Sequence, residues 1–371
     1  MNAHNKILSR AILAFCVFIL IVFSSSVAAA QLMNARFVSS VYGWKQYDTV
    51  GTAKKFWRGY QSVLLDVAQD NFSLHGHFQG AVMLQKKLDE LPDYRLYYGY
   101  AQWKNIVDVV DLSFGRVPFF AGVGSGTIDG ALTRFRVADN KLRMTFYGGA
   151  NVPADLSVKT WGPLKKDFTL GGQILLSVED LRFGVSYLNR QRQRPGYWTM
   201  RPDSLFTLAA LYVDPDQTKE QFASGDFSYW LPNASFHARY DYNVDYMKTQ
   251  RGQFGVRYYP SERWGVSAEY IHRAPRLPFN SFFAVFDLPS SDELEGGVDY
   301  TLKSATRFFV RGAFVQYLDD HSVRYTLGVA NNHASVSYLG STGYSGELSA
   351  VALQGSYPLL DRMLIPTLGI S

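Results

Sequence analysis

Residues 235–271 read SFHARYDYNVDYMKTQRGQFGVRYYPSERWGVSAEYI, and their side chains alternate in character through three successive runs. Side chains of a β-strand point alternately to opposite faces, so each run predicts one apolar face and one polar face. In a soluble sandwich the apolar face packs into a core, whereas in a membrane barrel it meets lipid and the polar face lines a lumen. In the first run the apolar face holds Phe236, Ala238, Tyr240, Tyr242, Val244 and Tyr246, and the polar face holds Ser235, His237, Arg239, Asp241, Asn243 and Asp245.

The first thirty residues have the layout of a secretory signal peptide. Lys6 and Arg10 precede an apolar run over 11–23, and small residues then lead to a cleavage site predicted before Gln31. A single membrane anchor is the alternative, but the apolar run is shorter than the roughly 20 residues that a spanning helix needs. We therefore predict export of a mature chain, residues 31–371, that forms a single domain.

The composition of the mature chain narrows the class further. Cys16 is the one cysteine and lies in the signal, so we expect no disulfide framework, no cysteine-ligated metal and no cofactor. Loss of Lys6 and Arg10 lowers the formal net charge from +5 to +3, which does not suggest a nucleic-acid partner. The 24 Tyr, 26 Phe, 7 Trp and 31 Gly accompany a mean hydropathy of only −0.11. Alternating strands produce this combination, because half of each strand is polar.

Alternation bounded by turn residues predicts an all-β fold, a transmembrane antiparallel β-barrel of about 18–20 strands. Short connections such as Asp139-Asn140 and Asn331-Asn332 alternate with longer ones such as 118–128 and 274–293, which is the asymmetry between periplasmic turns and outer loops. The weakest part is 213–234, which we assign to a loop or half-strand.

Two further expectations concern these weaker segments. Asp214 could start a short helix reaching Phe222, and a strand at 225–231 would invert every later assignment of strand direction. The last run, 362–370, would end at the outer side, whereas bacterial barrels use even numbers of strands. We therefore expect a C-terminal truncation that removes at least one strand.

Two segments carry a resemblance to a known family. The turn from Tyr258 to Trp264, which reads YYPSERW, resembles the Gram-negative outer-membrane porin superfamily. Phe114-Gly115-Arg116, the glycine-rich 122–126 and Ile128-Asp129-Gly130 together resemble the strand-loop-strand of large porin-like and alginate-export-like barrels. The resemblance implies an outer-membrane location and a passive or facilitated passage of small hydrophilic solutes.

Projection of the alternation inward gives the residues that would line a lumen. Basic residues slightly outnumber acidic ones, which predicts a mild anion preference, because rings of Arg or Lys favour anions. The alternative is that these charges pair across neighbouring strands and keep the lumen wet and rigid. The candidates are His237, Arg239, Asp241, Asp245, Arg257, Glu269, Arg307, Arg311, Lys141 and Arg143.

The remaining motifs do not indicate a nucleotide, metal or catalytic site. The glycine-rich 122–126 opens no helix, so we interpret it as a flexible outer loop instead of a phosphate cradle. His75 and His77 share a strand face, but without an obvious third ligand they are better explained as polar lumen residues than as a metal site. No nucleophile motif stands out, so we predict no enzymatic activity.

The loops suggest partners. The basic and aromatic segment 190–201 could touch lipopolysaccharide, although an ordinary solvated loop is the simpler explanation. The loop 274–293 holds Phe279, Phe282, Phe283, Phe286 and Leu288 and should fold inward or dock on a partner, since exposed apolar patches usually have a use. Expected partners are outer-membrane lipid, small solutes, and either a second copy or a periplasmic protein. The alternative function is a scaffold or sheath for a periplasmic electron carrier or an exported polysaccharide.

Overall fold

The computed structural model describes residues 32–47, 51, 53–83, 94–158, 164–194, 196–202, 207–279, 286, 288–303, 305–344, 346–359, 361 and 365–371. These ranges contain strands and connections but no helix, and hence no helix that could cross a membrane. The predicted signal peptide lies outside the described residues. They group into two compact units, the first comprising the described residues up to Asn105 with Ala154–Val158, and the second comprising the rest.

The first unit is an antiparallel ladder of four strands. Each strand pairs with the next one in the sequence, and Leu32 lies opposite Ala68 in the first pair. The strands are β1 (Leu32–Tyr47), β2 (Ala53–Gln69), β3 (Phe72–Met83) and β4 (Tyr94–Ile106).

The second unit continues in the same antiparallel manner. Consecutive strands pair throughout, except that β9 pairs with β12 while β10 and β11 form a separate two-stranded sheet. The strands are β5 (Val110–Ala121), β6 (Gly124–Val137), β7 (Leu142–Asn151), β8 (Phe168–Val178), β9 (Leu181–Arg192), β10 (Tyr197–Pro202), β11 (Leu208–Val213), β12 (Thr218–Trp230), β13 (Ala234–Asn243), β14 (Lys248–Ser261), β15 (Trp264–Arg273), β16 (Ser291–Thr301), β17 (Arg307–Tyr317), β18 (Asp320–Ala330), β19 (Ala334–Gly343), β20 (Leu348–Ser356) and β21 (Thr367–Ile370).

These strands confirm the predicted all-β, antiparallel fold class. Of the 21 described strands, only β10 and β11 stand apart, and the remaining number lies within the predicted 18–20. The sequence that decides the fold forms β13, β14 and β15, with Arg239 opposite Gln253 and Phe254 opposite Tyr270.

The structure corrects the sequence prediction for the segment 213–234. Residues 218–230 form a full strand, β12, paired with β9 on one side and β13 on the other, and no helix begins at Asp214. The alternation is weak there because polar Lys219 and Gln221 share a face with Phe227. Later strand directions are nevertheless unchanged, because β11, predicted as a ladder strand, pairs only with β10.

The two edges of the second unit differ in the connections between their strands. At one edge, backbone hydrogen bonds connect several short turns to the neighbouring strand, as from Trp230 N to Asp180 O (3.0 Å) and from Thr301 N to Arg263 O (2.8 Å). The opposite edge carries the longer connections, 193–217 and 274–290, together with a tight turn at 318–319.

An apolar face is exposed across β15 to β18. Val266, Val298, Val310 and Leu327 are consecutive neighbours across the four strands, and each side chain is between 41% and 60% exposed. Soluble proteins seldom expose a continuous apolar surface of this kind, so it indicates contact with lipid.

A basic substitution on this face tests that contact. Val310→Arg should lower the free energy of unfolding in lipid vesicles by about 2–4 kcal/mol if the position lies near the bilayer midplane, because an arginine there meets hydrocarbon. The matched control is Thr326→Arg on the polar face of β18, which should change stability little. Urea unfolding in vesicles measures both. Equal stabilities of the two variants would contradict a lipid-facing apolar surface.

Candidate functional site

The polar face of β13 to β15 carries two small networks of hydrogen bonds and charges. Arg239 Nε donates to Asp241 Oδ1 at 2.9 Å, and the hydroxyl of Ser224 donates to the same oxygen at 2.5 Å. His237 Nε2 lies 3.1 Å from Glu269 Oε1, which also accepts from the amide of Gln253. The polar side chains of neighbouring strands therefore pair with one another, as the alternative interpretation of the sequence expects.

The remaining basic candidates differ in their surroundings. Arg257 lies between Ser235 and Ser267 in the ladder, and Arg311 lies between Gly297 and Thr326. Within the described part of the chain neither guanidinium has an ion-pair partner. These two positions therefore carry positive charge on the polar face outside direct ion pairs, and Glu295 and Glu347 line the same pocket as Arg311.

Two further basic candidates lie on strands. Arg307 begins β17, where its guanidinium carbon lies 5.7 Å from the ring centroid of Phe309. Arg143 lies in β7 opposite Arg136 and Leu175.

Two candidates occupy turns instead of the strands assigned to them. Lys141 lies in the turn before β7, and Asp245 lies in the turn 244–247, because β13 ends at Asn243. Burial raises the pKa of the Asp245 carboxyl, while the backbone N–H of Gln221 and the charge of Lys219 act in the opposite direction.

Sequence reasoning missed the hairpin tip, residues 119–126, which is closely packed within the second unit. The predicted loop 118–128 is a continuous hairpin whose turn is only 122–123, and its side chains lean over the polar face of β7 to β9. Phe119 stacks on Tyr147 with ring centroids 4.1 Å apart, and Val123 N donates to the hydroxyl of Ser186 at 2.9 Å. Phe119 is 1% exposed and Val123 5%. The glycine-rich segment is therefore a fixed element.

The glycines of the hairpin tip permit this close packing. Gly122 has φ +62°, and a Cβ atom there would lie 2.1 Å from Ser186 Oγ. A Cβ on Gly124 would lie 2.1 Å from the Tyr147 hydroxyl. Both positions therefore exclude side chains, the first by backbone conformation and both by space.

An ion pair braces the base of the hairpin. Arg116 Nε donates to Asp129 Oδ1 at 2.7 Å and a terminal nitrogen donates to Oδ2 at 2.8 Å. Such two-point contacts between guanidinium and carboxylate are strong and directional, and Arg116 is only 4% exposed. The two residues come from the motifs that carried the family resemblance.

Glu220 connects the hairpin tip to the loop after β15. Its Oε2 lies 3.4 Å from a terminal nitrogen of Arg190 and 3.6 Å from one of Arg276. Arg190 also donates to Ser125 O at 2.7 Å, within the hairpin tip. One carboxylate thus neutralises two guanidinium groups that come from different elements.

The first part of the loop after β15 packs against β12. Phe279 and Lys219 exchange backbone hydrogen bonds of 2.7 and 3.2 Å, and the guanidinium of Arg276 lies 4.2 Å from the ring centroid of Phe222. Phe282 and Phe283 lie outside the described residues. Phe286 and Leu288 are 53% and 38% exposed.

The two histidines of β3 contact different neighbours. His75 is hydrogen-bonded to Asp66 and Ser73, and His77 stacks on Tyr97. Among the described residues no group of three or more His, Cys, Asp or Glu could hold a metal ion.

Known proteins resemble this chain in structure at low sequence identity. No family model and no curated protein matches it. Wzi of Escherichia coli, described as an outer-membrane protein involved in group 1 capsule assembly and a carbohydrate-binding β-barrel, is 14% identical, with 87% of this chain and 82% of that chain covered and a TM-score of 0.41.

Two other solved structures are similar to the chain over most of its length. A triple mutant of the Rhodopseudomonas blastica porin is 12% identical over 87% of this chain and 98% of its own, with a TM-score of 0.35. OprB of Pseudomonas putida is 9% identical over 84% and 94%, with a TM-score of 0.37.

The fold class rests on the chain's own strands. They are antiparallel, they pair largely in chain order, and they expose a continuous apolar face, which together define the architecture of outer-membrane β-barrel proteins.

Removal of the bridging carboxylate tests the role of Glu220. Glu220→Gln should lower the free energy of unfolding by about 1–3 kcal/mol, because hydrogen bonds to a charged group are lost and two guanidinium groups remain without their shared carboxylate. Glu262→Gln, in the exposed turn before β15, is the control and should have little effect. Denaturant unfolding in vesicles compares them. If both variants unfold at the same denaturant concentration as the parent chain, the bridge does not stabilise the site.

Proposed function

We propose that this chain is an outer-membrane porin-like channel for small hydrophilic solutes. The observation that carries the proposal is the hairpin tip, which packs over the polar face of β7 to β9 instead of extending beyond the strand ends. A polar face that is partly covered by a fixed hairpin gives a hydrated passage with a defined narrow part, whereas the apolar face holds the strands in lipid.

The charges of the polar face support a mild anion preference. Asp241 is paired with Arg239, and Glu269 is hydrogen-bonded to His237 and Gln253, so both carboxylates have partners on the polar face. Arg257 and Arg311 retain their charge in the absence of a paired carboxylate, and fixed positive charge along a passage favours anions. The polar face could instead serve a scaffold that encloses a periplasmic partner or an exported polymer.

Planar-bilayer recording distinguishes these functions. The purified chain should give stepwise conductance, and its reversal potential in a potassium chloride gradient should indicate a preference for chloride. A chain that inserts but never conducts would favour the scaffold. Conductance with a preference for potassium would support the channel function but refute the anion preference.

A charge reversal locates the selectivity. Arg257→Glu should shift the reversal potential toward cation preference, because it replaces an unpaired positive charge on the polar face by a negative one. Arg263→Glu makes the same change of charge in the turn after β14 and should shift the potential less. The reversal potential under one salt gradient measures both. Identical shifts would show that the net charge of the protein, not the polar face, sets the preference.

A further inference from the structure

A β-bulge in β4 puts two consecutive tyrosines on the polar face of the first unit. Tyr98 lies opposite His77 and Leu96 opposite Phe78, so Tyr97 is the extra residue of the bulge. Tyr97 stacks on the His77 ring with centroids 4.3 Å apart, and Tyr98 contacts the same ring edge-on at 5.7 Å. Bulges redirect side chains in this way and often do so at functional positions.

The bulge is held from outside the ladder. The segment Ala154–Val158 belongs to the same unit, and its Leu156 O accepts a hydrogen bond of 2.8 Å from Leu96 N. The adjoining Ser157 is fixed by hydrogen bonds from its backbone nitrogen and its hydroxyl to the carboxylate of Asp155. The backbone that carries Tyr97 and Tyr98 is therefore held in place by a hydrogen bond from outside the ladder.

Further rings lie on the same face at other levels of the strands. His75 stacks on Tyr100 with centroids 4.8 Å apart, two residues along β3 from His77. Tyr60 of β2 meets Tyr42 of β1 edge-on at 5.6 Å. Residues two apart on a strand are separated by about 6.8 Å, so the rings form a series of steps along the strand direction. We call this series the aromatic strip; it consists of Tyr42, Tyr60, His75, His77, Tyr97, Tyr98 and Tyr100.

Polar groups lie beside the rings at each step. Gln79 accepts a hydrogen bond of 3.3 Å from the Tyr97 hydroxyl, and its amide donates to Ser62 at 3.0 Å. His75 is fixed by Asp66 Oδ1 at 2.7 Å from its Nδ1. Arg95 is opposite Gln79, and its buried Nε has no hydrogen-bond partner among the residues that the structure describes. A buried donor of this kind favours an acceptor supplied by a ligand.

We propose that the aromatic strip binds a linear saccharide. A sugar ring has an apolar C–H face and a rim of hydroxyl groups, so it needs a flat aromatic surface with hydrogen-bonding groups beside it. The strip supplies tyrosine and histidine rings that are half-buried except for the exposed Tyr42, together with amide and guanidinium groups at their edges. Its stepwise arrangement along the strands suits several linked sugar rings better than a single one. This inference names the solute class of the proposed channel and rests on that function.

Calorimetry with defined sugars tests the strip without requiring conductance. Purified protein in detergent is titrated with maltohexaose, cellohexaose and a hexameric galacturonate, which separate neutral from acidic saccharides. At least one should bind with measurable heat. The double variant Tyr97→Leu/Tyr100→Leu should bind roughly tenfold more weakly, because two ring contacts are lost while apolar volume is kept.

Two controls separate a binding role from a structural one. Tyr97→Phe keeps the ring and should bind within about threefold of the parent chain, since the contact is made by the ring face. Trp103→Leu, on the opposite face of β4 beside Phe72, should bind like the parent chain. No heat with any of the three sugars, or equal binding by the double leucine variant, overturns the saccharide site. The proposed channel function would not be affected by that result, because conductance in bilayers tests it separately.

Discussion

The antiparallel pairing of consecutive strands is the constraint on which the rest of the molecule depends. A chain in lipid has no water to satisfy its backbone N–H and C=O groups, so each strand must find its hydrogen bonds in its neighbours. Once the register is set, every side chain is assigned to one face. The row from Val266 through Val298 and Val310 to Leu327 and the opposite row of polar residues both follow from that one condition.

Some side chains of the polar face pair with one another, and others serve as the surface on which the hairpin tip packs. Asp241 and Glu269 are engaged with basic partners on their own or a nearby strand, which limits the cost of holding charges side by side. The hairpin tip then uses the same face as a packing surface, so that Phe119 and Tyr147 form an apolar contact within a polar wall. A fixed hairpin needs such a contact, because hydrogen bonds alone contribute little net stability next to water.

The sequence predicts the strands well and the site poorly, for physical reasons. The strands β13 to β15 are recognisable because aromatic and charged side chains alternate strictly. β12 is not, since Lys219 and Gln221 stand where apolar residues would be expected. The hairpin tip resembles a loop because its glycines mark close packing, which a sequence cannot distinguish from flexibility. Glu220 lies on the unpredicted strand, so its two arginine partners could not be foreseen. The predicted single domain and the predicted truncation stay predictions.

The orientation of the two faces in a membrane is the central claim, and residue-by-residue accessibility along β15 tests it most directly. Single cysteines are introduced at positions 265–270, which is practical because residues 31–371 contain no cysteine. Each is spin-labelled in lipid vesicles and exposed to oxygen, which partitions into lipid, and to a water-soluble nickel chelate. Labels at Val266, Ala268 and Tyr270 should respond mainly to oxygen, and labels at Gly265, Ser267 and Glu269 mainly to the nickel chelate. A response without this alternation, or with the two faces exchanged, would contradict the account.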